Sequence, residues 1–109
     1  MIKIAVVKGE EVIDKLSKVI KDSKIMQGSI SLIGAVDACS ISTIDKYDAK
    51  KDLLAEYHEP LELSGNGEIV NGTPHLHVTL GREDKSTLFG HLHWGKVKTW
   101  FVNVYVTPL

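Results

Sequence analysis

The sequence predicts an α+β fold, a single domain over residues 1–109 built from a mostly antiparallel β-sheet and one main amphipathic helix. Three observations predict it. The chain has 109 residues and 43% hydrophobic content, which suits one core and one site. Near the N-terminus, Val12, Ile13, Leu16, Val19 and Ile20 recur at helical spacing, with Lys15, Lys18, Lys21 and Asp22 on the opposite side. From Gln27 onward the pattern changes to short β-like runs broken by turn residues.

Ile2 to Val7 reads as a first strand. Glu10 and Glu11 follow, where acids favour the positive end of a helix dipole, and the lysines gather toward the helix C-terminus. Acids interleaved among those lysines make their side a solvated face. The expected strands then run over Ser29 to Val36, Ala38 to Asp45, Leu53 to Tyr57, Leu61 to Ser64, Glu68 to Val70, His75 to Leu80, Thr87 to Trp94 and Val97 to Thr107. Gly65-Asn66-Gly67 and Asn71-Gly72 are expected turns, the second a hairpin signal. Segments 45–51 and 82–86 read as charged loops. The last run carries Trp100, Phe101, Val102, Val104, Tyr105 and Val106 and is apolar on both faces. It is expected to be central or to lie at a subunit contact, and the chain to form a closed homo-oligomer.

Composition removes several functions. With 13 Lys+Arg against 14 Asp+Glu, the net charge of -1 supplies no global field for phosphate backbones. One cysteine, Cys39, forms no intramolecular disulfide and reads as a buried structural thiol. No stretch reaches the ~18 apolar residues of a membrane span, and the first residues read as a strand rather than a signal peptide, so a cytoplasmic location is expected. There is no Ser-His-Asp ordering, no phosphate-cradling glycine loop and no Cys/His finger.

The informative residues are histidines. Four of the five fall in two triplets, His75-Leu76-His77 and His91-Leu92-His93. On a strand, His75 and His77 project from one face with Cα atoms roughly 6.5–7 Å apart, while Leu76 and Val78 turn into the core. Such a pair can share a divalent metal. Catalytic zinc takes three protein ligands and leaves one position for water, so a third histidine from a neighbouring strand completes the set. Spacing leaves His91 and His93 both open for that place. His58, between Glu56 and Glu59, reads as a surface residue. Glu62, Glu68, Arg82 and Asn103 are candidates for orienting a ligand or moving a proton.

Ile30-Ser31-Leu32-Ile33-Gly34-Ala35-Val36, Leu61-Glu62-Leu63-Ser64 with Gly67-Glu68-Ile69, Gly72-Thr73-Pro74-His75-Leu76-His77 and Gly90-His91-Leu92 occur in this order before a β-rich end. In this the chain resembles the Plants and Prokaryotes Conserved (PPC) domain, stand-alone prokaryotic type. The resemblance implies an antiparallel α+β fold, a homotrimer, and a zinc site whose histidines match His75, His77 and His91, leaving His93 as a neighbour or substitute. It also implies binding to DNA or a transcription-related protein. No Arg-Gly-Arg-Pro hook is present, and Lys15, Lys18 and Lys21 form only a modest patch. Two departures stand out. Phe89 replaces a glycine in the usual Gly-Gly-His-Leu, expected to alter the turn before His91, and Asn103 stands about where many members carry glutamate.

The fold also resembles that of acetolactate decarboxylase, which implies an alternative: a zinc-dependent lyase acting on a small molecule at the metal. Glu62 would then handle the proton and Arg82 would hold a substrate carboxylate. A scaffold that binds another protein through its trimer face is the third reading.

Overall fold

The computed structural model describes residues 1–109. Along the chain run β1 (Ile2–Val6), α1 (Val12–Asp22), β2 (Gln27–Val36), β3 (Ala38–Ile44), β4 (Asp52–Tyr57), β5 (Leu61–Val70), β6 (Thr73–Gly81), β7 (Thr87–Lys96) and β8 (Val102–Pro108). The strands form one 8-stranded sheet in the order β1-β8-β2-β5-β6-β7-β3-β4. Every neighbouring pair is antiparallel.

Alternation on the strands sorts apolar from polar residues. Leu76, Val78 and Leu80 of β6, Leu92 of β7 and Val102, Val104 and Val106 of β8 are buried, together with Val12, Leu16 and Ile20 of α1. The helix therefore covers the inner face of the sheet, as the apolar stripe predicts. Although four strands separate β1 from β7, the segment after β1 bonds the segment after β7: the Gly9 N–H donates to the Val97 carbonyl at 2.9 Å and the Val97 N–H to the Glu10 carbonyl at 3.1 Å. The sheet thus curls around the helix, and its outer face stays open.

Glu11 secures the helix start. Its carboxylate accepts the Ile13 N–H at 2.8 Å, the Asp14 N–H at 2.9 Å and the Gly95 N–H of β7 at 2.7 Å. A shorter cap such as serine satisfies helix donors alone; the longer glutamate also reaches the sheet. At the other end, Ser23 caps and Lys24 turns left-handed with φ 56°.

Two expected boundaries are corrected. Gly65-Asn66-Gly67 is no turn, because β5 runs unbroken from Leu61 to Val70. A Cβ on Gly65 or Gly67 would collide with the carbonyl oxygen of His77 or His75, so these glycines permit close approach of β5 and β6. The chain reverses instead at Asn71 (φ 52°) and Gly72 (φ 76°), the expected hairpin. The run from Val97 to Thr107 is not one strand either, since residues 98–100 bend and β8 begins at Val102. β8 is central, between β1 and β2, and Trp100 and Phe101 stay exposed before it.

Asp37, between β2 and β3, fixes that bend. Its carboxylate accepts the Lys98 N–H at 2.6 Å, the Thr99 N–H at 3.0 Å and the Thr99 hydroxyl at 2.7 Å. Burial alone would push its pKa up, but the Thr99 hydroxyl, the two N–H donors and the Lys98 charge outweigh it and hold the pKa below the ordinary value. Because the folded pKa is depressed, the stabilisation is fully present above the ordinary carboxylate value of about 3.9 and is lost as pH falls through the folded value. Asp37→Ala should therefore cost about 1 kcal/mol at neutral pH. In urea titrations the gap to the parent protein should narrow as pH falls below the ordinary carboxylate value of about 3.9; a gap that stays constant through the acid range would show that the ionised carboxylate is not the anchor.

Candidate metal centre

The histidine cluster follows from strand parity and register. On β6, burial of Leu76 and Val78 turns His75 and His77 to the outer face, and β7 does the same for His91 and His93 around Leu92. The register sets His77 directly opposite His91 and Glu68 of β5 opposite His75. One nitrogen from each of His75, His77 and His91 lies within 4.8 Å of the other two. His75 Nε2 and His91 Nδ1 are 3.1 Å apart. Nitrogens bound at 2.0–2.1 Å around a tetrahedral zinc stand about 3.3 Å from one another. The set therefore fits one such ion after small ring rotations.

Electrostatics favours ligation. Burial lowers the pKa of His91 first, and the fields of His75, His93 and His77 lower it further, against an opposing pull from Asp52. A depressed pKa keeps the imidazole neutral and its nitrogen lone pair free. His93 stands apart from this set: its ring stacks on His91 at 4.6 Å and 12°, and its Nε2 lies 2.7 Å from the Ser42 hydroxyl. It buttresses His91 from the side. Phe89 meets His77 edge-on at 5.7 Å.

Phe89, Gly90 and His91 lie inside β7, in line with the strand expected over Thr87 to Trp94, so no turn precedes His91. A Cβ on Gly90 would sit 2.7 Å from the Ser42 carbonyl oxygen, so a glycine here lets β3 lie close against β7. His58 is exposed, 3.3 Å from Glu56. Cys39 is buried, and burial together with the field of Glu59 pushes its thiol up to about 11, which leaves it inert as a nucleophile.

The other expected residues lie elsewhere. Glu62 pairs with Gly81, four residues along β6 from His77 or roughly 13 Å. It lines a cavity of about 540 Å³ with Ile33, Trp100 and Phe101. Arg82 is held by Glu59 through two hydrogen bonds of 3.0 and 3.1 Å, over the Tyr57 ring. Asn103 sits on β8 opposite Ile33. Within one chain, none of the three reaches the histidines.

Two other groups border the triad. A cleft of about 480 Å³ on one side is lined by Asp52, Ser42, Thr43 and Phe89 with the three histidines. One of about 430 Å³ on the other is lined by Ser29, Asn66 and Glu68 with His75 and His77. Sequence reasoning had no signal for Asp52 or Ser42, since only the order β7-β3-β4 brings them here.

Residues 2–109 match the family model of the Plants and Prokaryotes Conserved domain, abbreviated PCC or PPC. The chain belongs to this family. Among solved structures, it resembles a metal-containing protein from Archaeoglobus fulgidus at 28% identity and TM-score 0.82, covering 99% of this chain and 78% of that one. Two bacterial structures, each described as a "putative DNA-binding protein", are also similar. The one from Ralstonia eutropha JMP134 matches at 23% identity and TM-score 0.85, with 98% and 76% covered. The other, from Bacteroides thetaiotaomicron VPI-5482, matches at 28% identity and TM-score 0.80, with 97% and 76% covered. No curated protein matches the sequence. The PPC fold thus places all three histidines on two adjacent strands of one chain.

The close approach of β5 to β6 carries a direct test. Gly67→Ala drives a Cβ into the His75 carbonyl and should cost at least about 2 kcal/mol. It should also weaken metal binding by displacing His75. Gly81→Ala on the same strand pair meets nothing nearer than 3.8 Å and should be tolerated. Equal unfolding midpoints for the two variants would contradict this account of Gly67.

Proposed function

We propose that this PPC-domain protein is a homotrimer that binds zinc or another divalent metal through His75, His77 and His91 and serves a DNA-binding or regulatory role. The convergence of the three imidazole nitrogens carries the metal reading. Three neutral nitrogen ligands with solvent access suit an ion that keeps one position for an incoming group. The Archaeoglobus protein, described as metal-containing, supports the same reading. Trimer formation is supported by the outer face, where Ile33, Trp100 and Phe101 are exposed together. The DNA role rests on the description of the Bacteroides structure. Charge lends it little, since Lys15 is bound to Glu10 at 2.7 Å and the net charge is -1. Three copies would multiply the weak patch left by Lys18 and Lys21.

The lyase reading gains nothing from the site. Its proposed proton carrier, Glu62, and its proposed carboxylate holder, Arg82, lie away from the histidines, and Arg82 already holds Glu59.

Protein purified without chelator should contain about one metal per chain. His75→Ala, His77→Ala and His91→Ala should each reduce zinc affinity at least about 100-fold with little change in fold, because the rings face outward. Affinity should fall on acidification, because protons compete with the ion for the ring nitrogens. Zinc binding unaffected by all three substitutions removes the site. Gel shifts with duplex DNA, run alongside sedimentation to count subunits, should show trimers retained at about 50 mM salt and released near 200 mM. An absence of retention at low salt removes the DNA role and leaves the metal site standing.

A further inference from the structure

The surroundings of the triad specify the charge of what it receives. The cleft between His91 and the edge of the sheet has one charged wall residue, Asp52, beside Ser42, Thr43 and Phe89. The cleft on the opposite flank also has one, Glu68, set directly across from His75. No lysine or arginine lines either cleft. Lys50 and Lys51 precede Asp52 in the chain, yet neither contributes to the wall. Arg82 is committed to Glu59 at the far end of β6. A site for a carboxylate or phosphate places a cation near the metal to take the second negative oxygen; this one has a carboxylate on each flank.

We infer, on the basis of the metal reading above, that the ligand is a small cationic molecule: an amine carrying one oxygen donor for the ion, with its ammonium group received by Asp52 against the Phe89 ring. The three features are complementary. The ion takes the oxygen, the Asp52 carboxylate pairs with the ammonium, and an aromatic ring beside a cation adds its own attraction. Phe89 is 55% exposed on the outer face, so its ring is accessible to such a group. The cleft volume of about 480 Å³ suits a small molecule. The same acidic flanks repel DNA phosphate, so any nucleic-acid contact falls on another surface, such as the lysines of α1.

Cobalt-loaded protein gives a direct readout, because the visible bands of the ion change when a ligand enters its open position. Three hydroxamic acids with the same two-carbon arm serve as probes: β-alanine hydroxamate with an ammonium, propionohydroxamate without charge, and succinic monohydroxamate with a carboxylate. The expected order of affinity is ammonium, neutral, carboxylate, with at least a tenfold span between the first and the last. Asp52→Asn should collapse that span to about threefold or less, and Asp52→Lys should invert it. Asp52 is exposed at the first position of an edge strand, so both variants are expected to fold. Cobalt bands that respond equally to all three probes, or a preference for the carboxylate probe, overturn the charge assignment alone. A span that survives in Asp52→Asn overturns the role of Asp52. Absence of cobalt bands overturns the metal reading and this inference with it.

Discussion

The arrangement depends on the two-residue period of β6, pinned by the burial of Leu76, Val78 and Leu80. Each fully buried aliphatic side chain contributes roughly 1.5–3 kcal/mol relative to exposure. A one-residue slip would expose all three and drive His75, His77 and Thr79 into the core, at a cost of roughly 5–9 kcal/mol from the aliphatic residues alone. Stability of that order exceeds half of what many domains possess. The core therefore dictates the direction of the histidines, and the metal need not supply it. Register does the rest: with His77 set opposite His91, the third imidazole arrives from β7 without a flexible loop.

Legibility in the sequence followed the range of the interactions. The helix stripe, the Asn71-Gly72 hairpin and the outward parity of the histidine triplets are local patterns, and each appears in the structure as read. Gly65 and Gly67 misled because glycine signals both a turn and a close backbone approach, and only the presence of β6 beside them separates the two. Arg82 looked available because its partner, Glu59, lies 23 residues earlier and meets it through sheet geometry. Asp52 was invisible for a similar reason. It begins an edge strand whose neighbours, β3 and then β7, were not ordered by any sequence signal.

Side-chain chemistry narrows what the outer face can do. Cys39 is buried with its thiol held protonated, so thiolate chemistry is absent from the core. Arg82 and Glu59 neutralise one another beside Tyr57. His93 is tied to Ser42 and stacked on His91, which restricts the ring it supports. What stays accessible are the nitrogens of the triad and the carboxylates of Asp52 and Glu68. Such a set suits holding a cation and orienting a polar ligand.

The outer face is itself divided along the strands. At the Glu62 end of β5, Ile33, Trp100 and Phe101 form an apolar hollow, while the Glu68 end presents histidines and acids. The two ends lie six residues apart on one strand, about 20 Å. Covering the apolar end with protein would remove hydrophobic surface from water without desolvating the metal end. Covering the metal end would enclose Asp52 and Glu68, whose charges then demand a partner cation. Economy of desolvation therefore favours contact between chains through the Ile33 end and leaves the triad facing solvent. One face therefore has room for both a chain contact and the histidine cluster, because the strands are long enough to keep the two apart.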